Sequence, residues 1–186
     1  MATLKITTNP EHRGYRINVA HQGAYKKWVD KIIDLSAHAL EVQYQPQGYL
    51  ISFDLCPGKT IQQVKDAMIY FYRDSSRRTK TPCRPLWATK FEKKDVGDPP
   101  MPYPHYHMAV ILDGKKARHQ SLRVFFNNCQ SKGLIGHYNL SRDYQSGRHE
   151  KDLNTDMDNW ITHASYLCKV ATTADVRKPF NTVRYH

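Results

Sequence analysis

Two histidines, His105 and His107, stand at the mouth of an apolar run in PYPHYHMAVILDG, residues 102–114. Imidazoles two residues apart on one side of an extended chain can grip a single divalent ion. The spacing alone is weak, because ten histidines in 186 residues give roughly 0.5 such pairs by chance. A carboxylate has to join them. In PLWATKFEK (85–93), alternation puts Ala88, Lys90 and Glu92 opposite Trp87, Thr89 and Phe91. If this run pairs as a hairpin with 105–112, Glu92 comes close to His105 near the loop end. Asp54, on the polar side of GYLISFDLC (48–56), is expected on the same face of the sheet. Two imidazoles and a carboxylate leave coordination positions open, as a catalytic metal requires.

The second group lies in NWITHASYLCKVATT, 159–173. Read as a helix, Met157, Trp160, Ala164, Leu167 and Ala171 form one apolar stripe. Tyr166 falls about 140° from the middle of that stripe, near Thr162 and Lys169. A phenol with pKa about 10 is a weak nucleophile at neutral pH. Lys169, three residues on, can reach the phenol or whatever the phenol attacks, and an ammonium and a metal-polarised phosphate would both assist that attack. Tyr-x-x-Lys is also cheap: 12 tyrosines in this chain make about one match expected by chance.

Elements able to position these groups follow from the pattern. Trp28, Ile32, Leu35 and Ala39 predict a helix over 24–40. Tyr49, Ile51, Phe53 and Leu55 face one way on a strand over 48–56, and Thr60 caps a helix over 61–75. The GKT at 58–60 is a turn rather than a phosphate loop, since the glycine required five positions before Gly58 is Phe53. RDSSRRTKTPCR then reads as a basic connection, with Arg77, Arg78, Lys80 and Arg84 as candidate phosphate contacts. A strand over 85–93 is followed by KDVGDPPMPYP, expected as a loop because four prolines and a glycine cannot hold a ladder. Next come a strand over 105–112, a helix over 116–131, a strand or irregular stretch over 134–144, a loop, and a helix over 156–173 with Thr155 as its cap. This order predicts an α+β fold, a central antiparallel sheet with helices packed on it. One domain is expected over 1–186, with 1–24 and 174–186 as peripheral arms.

Bulk properties narrow the partners. An excess of 28 basic over 17 acidic residues gives a net charge of +11, which favours a polyanion, nucleic acid before membrane. No apolar run nears the ~18 residues of a membrane span, and no signal-peptide core is present, so a soluble, cytoplasmic protein is expected. Cys56, Cys83, Cys129 and Cys168 form no C-x-x-C pair and read as reduced thiols.

Taken in order, ISFDL, HYH and YLCK resemble the motifs of HUH-type endonucleases, metal-dependent enzymes that nick single strands to start rolling-circle replication. More narrowly, GYLISFDLCPG, WATKFEK…PYPHYHMAVILDG and ASYLCK resemble the YagK/YfjJ-type replication proteins of filamentous phages, over about residues 25–173. The resemblance implies an RRM-like sheet, and Mg²⁺ or Mn²⁺ held by His105, His107 and Glu92. It implies that Tyr166 attacks a phosphodiester to leave a 5′-phosphotyrosine, with Lys169 supporting the tyrosine or the phosphate. Single-stranded or hairpin origin DNA would be the substrate, and a host helicase and polymerase the partners. Thr162 and His163 stand where a second tyrosine would be needed for a two-tyrosine mechanism. Two other readings stay open on these residues: a DNA-binding regulator on the same fold without the chemistry, and a relaxase or transposase with it.

Overall fold

The computed structural model describes residues 4–20, 22–79, 83–96, 101–117, 119–140, 157–170 and 180–183. Four two-residue strands come first: β1 (Ile6–Thr7), β2 (Glu11–His12), β3 (Tyr15–Arg16) and β4 (Ala24–Tyr25). Then follow α1 (Lys26–Val42), β5 (Pro46–Leu55), α2 (Ile61–Thr79), β6 (Leu86–Val96), β7 (Met101–Asp113), α3 (His119–Ser131), β8 (Ile135–Leu140) and α4 (Met157–Ala164). A 3₁₀ turn over Ser165–Cys168 continues α4, and β9 (Phe180–Thr182) ends the described chain. Among the described residues no helix is long and apolar enough to cross a membrane.

The large sheet is antiparallel and five-stranded, in the order β8-β5-β7-β6-β9. From β5 to β8 the chain runs β-α-β-β-α-β, with β7 inserted between the two strands that α2 connects. This is the ferredoxin-like split βαβ arrangement, and it bears out the expected α+β class.

Strand alternation divides the core in two. Tyr49, Ile51 and Phe53 of β5, with Met108, Val110 and Leu112 of β7, face α2 and α3 and bury Val64, Met68, Phe125 and Phe126. On the other face Leu86, Ala88, Ala109 and Ile111 are covered by α1 and α4, through Val29, Ile32, Leu35, Trp160 and Ile161. Both faces of the sheet are therefore packed at this end, and the second face turns polar only further along its strands.

Several element ends have identifiable causes. Thr60 caps α2 as expected, in a reciprocal box: Thr60 N donates to Gln63 Oε1 (2.9 Å) and Gln63 N to Thr60 Oγ1 (3.4 Å). The helix runs to Thr79 rather than 75, because Arg, Asp and Ser interrupt a helix less than Gly or Pro and neither occurs between Ile61 and Pro82. The expected proline-rich loop over 93–104 is largely ladder, since pairing continues from Lys93↔Pro104 to Val96↔Met101. Pairing of β7 with β5 ends at Asp54↔His105, so beyond it, among the described residues, β7 pairs on one side only. Pro102 and Pro104 both fall in this one-sided stretch, where a strand tolerates proline better than at the centre of a sheet.

The N-terminal residues are tied to α4. Arg16 N donates to Asp158 Oδ1 (2.9 Å), Thr162 Oγ1 to Arg16 O (3.0 Å), and Asn18 N to Ser165 Oγ (2.7 Å). Thr155, the expected cap of α4, lies outside the described residues. At the other end, β9 joins the edge of β6, and Phe180 stacks on Trp28 at 5.1 Å between ring centroids.

Trp160 sets the spacing between α4 and the sheet. Its indole Nε1 donates to Ser36 Oγ at 2.8 Å, and its ring lies over Gly48, where an added Cβ would stand 2.3 Å from ring carbons. Trp160 is buried, so the ring has nowhere to swing. Gly48→Ala is expected to cost about 1–3 kcal/mol, read as a lower urea midpoint at unchanged slope; a wild-type midpoint would contradict this account of the packing.

Candidate active site

On the α1/α4 face the sheet changes character row by row. Register places Leu50, Ala109 and Ala88 side by side, then Ser52, His107 and Lys90, then Asp54, His105 and Glu92. The same parity that carries Ile111 and Ala109 into the core carries His107 and His105 into a polar cluster two residues further on. All three expected carboxylate and imidazole positions on β6 and β7 thus share one face, and Asp54 joins them from β5.

Side-chain pairing is more selective than the rows suggest. His105 Nδ1 donates to Asp54 Oδ1 at 2.6 Å. Glu92 stands opposite His105 in register, yet its Oε2 accepts from His107 Nε2 at 3.2 Å, across the diagonal. The two imidazoles lie 4.8 Å apart, edge to face. Glu92 Oε1 faces two ammonium groups, Lys90 Nζ at 3.0 Å and Lys169 Nζ at 3.4 Å.

Tyr166 arrives by a route that helical periodicity does not describe. The helix expected over 156–173 ends at Ala164, and Tyr166 and Cys168 belong to the 3₁₀ turn. Beyond it the chain is extended: Lys169 bridges Ala24, and Val170 N donates to Gly23 O at 2.9 Å. Residues three apart eclipse in a 3₁₀ turn, and Lys169 Nζ donates to Tyr166 Oη. The phenol ring stands edge-on to His107, at 5.6 Å between centroids, and remains partly exposed. His105, His107, Glu92, Tyr166 and Lys169 therefore meet at one end of one sheet face.

The residue missing from the sequence reading is Lys90. It is 0% exposed, and besides Glu92 it holds the carbonyl oxygen of Lys169 at 3.1 Å. One buried ammonium thus joins the Glu92 carboxylate to the backbone of the tyrosine turn. Its parity was visible, since it lies between Ala88 and Glu92; its burial was not.

Electrostatics follow from burial. Loss of water would raise the Glu92 carboxyl, but the His107 hydrogen bond and charge, with the Lys90 ammonium, hold it well below the usual carboxylate range. Burial lowers His107 more than Glu92 raises it, and burial likewise lowers Lys90 against the pull of Glu92.

The donor set fits a divalent cation. Asp54 accepts the hydrogen bond from His105 Nδ1 and leaves Nε2 to face a metal, the usual carboxylate support of a metal-binding imidazole. His107 Nε2 and Glu92 Oε2, 3.2 Å apart, have about the separation of neighbouring ligand atoms on one ion with bonds near 2.1 Å. A carboxylate oxygen suits Mg²⁺ or Mn²⁺, and the imidazoles favour the transition ion. Among the described residues no three His, Cys, Asp or Glu side chains already surround one point; here lysines occupy the free oxygen of Glu92.

Of the basic candidates, Arg84 does not join this cluster. Arg84 is exposed just before β6, and Leu86 to Glu92 spans about 20 Å of strand, so Arg84 belongs to the opposite end of the sheet. The side chains of Arg77 and Arg78, on the last turn of α2, and all of Lys80 lie outside the described residues.

Lys90→Met removes one partner of a dry ion pair and is expected to cost about 3–5 kcal/mol in chemical unfolding. Adding Glu92→Leu to the same chain should recover part of that loss; equal or greater destabilisation would deny the pairing. Acid acts on the same contact. Folding lowers the Glu92 pKa, so its contribution is complete above the unfolded value near 4.3 and is lost as the pH falls below it. Between pH 5 and 3, Glu92→Gln should therefore lose less stability than wild type.

No family model matches this chain, and neither a curated protein nor a solved structure matches it.

Proposed function

We propose that this chain is a metal-dependent, single-strand DNA endonuclease that nicks and reseals through a 5′-phosphotyrosine at Tyr166. One observation carries the reading: a partly exposed phenol, bonded to the Lys169 ammonium, stands edge-on to His107 beside Glu92 and His105. This grouping supports reading Tyr166 as the nucleophile, Lys169 as the cation that stabilises its oxyanion, and His105, His107 and Glu92 as donors to a metal. The net charge of +11 supports a polyanionic substrate.

In this reading Tyr166 Oη attacks phosphorus as its proton leaves. The bond from phosphorus to the 3′ oxygen breaks, freeing a 3′-OH and leaving the 5′ phosphate on the phenol. The phosphodiester is exchanged rather than hydrolysed, so the reverse step reseals the strand. Lys169 stabilises the phenolate as it forms, from its position at the oxygen. Asp54 keeps His105 in the tautomer with a free Nε2, and Lys90 fixes both Glu92 and the tyrosine turn. Mg²⁺ or Mn²⁺ held by His105, His107 and Glu92 would supply polarisation of the phosphate oxygens and alignment of the scissile bond. The substrate would be single-stranded or extruded-hairpin origin DNA, whose freer backbone can bring the scissile phosphate to the phenol in line for attack. Rolling-circle replication in the cytoplasm of a bacterial host, with a host helicase and polymerase acting from the 3′-OH, is the setting we propose.

The test incubates the protein with Mn²⁺ and end-labelled single strands from its own replicon, followed by a denaturing gel. Wild type is expected to give a slow-migrating covalent adduct that chelator abolishes, and Tyr166→Phe to bind DNA without forming one. An adduct in Tyr166→Phe removes the nucleophile assignment. Salt-dependent binding that chelator leaves unchanged, with no strand cleaved, would instead favour a DNA-binding regulator.

A further inference from the structure

Lys169 serves two partners at once. Its Nζ donates to Tyr166 Oη and lies 3.4 Å from Glu92 Oε1. Lys90 competes for that same carboxylate oxygen at 3.0 Å. The two lysines differ in what they can do next. Lys90 is wholly buried and pinned by its bond to the Lys169 carbonyl, so it stays under the carboxylate. The Lys169 side chain is 5% exposed and sits at the boundary with a partly exposed phenol, so its ammonium can lean toward either oxygen.

The charge around Glu92 is already unbalanced. One carboxylate faces two ammonium groups, within a cluster where solvent screens poorly. A divalent cation on the opposite oxygen, with His105 and His107, adds two more positive charges and draws off the negative charge that holds Lys169. Glu92 cannot move away, because Lys90 fixes it. The Lys169–Glu92 contact is the one that can yield, and Tyr166 Oη is the partner already in reach.

We propose that divalent-cation binding at His105, His107 and Glu92 and the Lys169–Glu92 ion pair oppose one another, so that the cation releases Lys169 onto the Tyr166 oxygen. The inference rests on the cation site proposed above and adds an order of events. Lys169 guards the carboxylate while the site is empty of cation, and the phenol no longer shares its ammonium with Glu92 once the cation is in place. Chemistry is thereby withheld from a chain that carries DNA but no cation.

Coupling between two binding events is reciprocal. If the cation weakens the Lys169 contact, removing the Lys169 charge must strengthen the cation. Mn²⁺ titration of the full chain without DNA, followed by the spin-resonance signal of free Mn²⁺, reads this directly. Lys169→Met is expected to bind Mn²⁺ about tenfold more tightly than wild type, within the usual range of coupling, while losing adduct formation. Lys169→Gln should behave in the same way, which guards against a folding defect in one variant, and Lys169→Arg should bind within about twofold of wild type because the charge is kept. Unchanged or weaker binding in both neutral variants overturns the proposal while leaving the cation site intact. Binding that survives His105→Ala combined with His107→Ala overturns the cation site itself, and this inference with it.

Discussion

A carboxylate that is only 7% exposed governs this end of the molecule. Taking Glu92 out of water costs several kcal/mol unless opposite charge and hydrogen bonds replace the lost hydration. Three groups do so, and they come from three places: His107 from β7, Lys90 from β6 itself, and Lys169 from the turn after α4. Each partner constrains more than the carboxylate. The His107 contact requires the β6–β7 register, the Lys90 contact reaches through to the Lys169 carbonyl, and the Lys169 contact draws the tyrosine turn down onto the sheet. An apolar residue at position 92 would demand none of this.

The same strands serve both the core and the site, and parity keeps the two compatible. On β7 the even positions bury Met108, Val110 and Leu112 under α2 and α3, while odd positions pass from Ile111 and Ala109 to His107 and His105. Polar groups thus replace apolar ones along a single file, without a bulge or a change of face. Small residues help the transition. Ala88 and Ala109 let α4 approach closely, and Gly48 admits the Trp160 ring. Without that approach the turn after α4 would not come within reach of Glu92.

Much of this was legible in the chain, and the reasons differ by residue. Alternation is a strict geometric rule, so His105, His107, Glu92 and Asp54 were placed on one face from spacing alone, and the β6–β7 pairing brought them into register. Thr60 was readable because a cap and its reciprocal Gln63 are local chemistry. Lys90 reads as part of a polar face because lysines are seldom fully buried; its burial goes with the tyrosine turn, whose Lys169 carbonyl it holds, a tertiary fact. The 3₁₀ turn was not legible either. Composition does not distinguish it from the helix before it, and the bridge to Ala24 that ends it comes from the opposite end of the chain. The ladder at Pro102 and Pro104 was not legible, because prolines exclude a central ladder, whereas these two lie past the end of the β5–β7 pairing at Asp54↔His105.

Sequence separation gives the tyrosine turn a temporal property as well. Asp54 and His105 meet across 51 residues, but Lys90 reaches the Lys169 carbonyl across 79, and Asn18 binds Ser165 across 147. Contacts of such range close late and slow folding. A chain still being synthesised, at about 5–20 residues per second, exposes β5, β6 and β7 for seconds before residue 166 emerges. Glu92 must then wait for Lys169, with only Lys90 and His107 beside it. The strands that carry the imidazole pair and its carboxylate therefore emerge before the phenol does, and the turn that makes the cluster whole follows them.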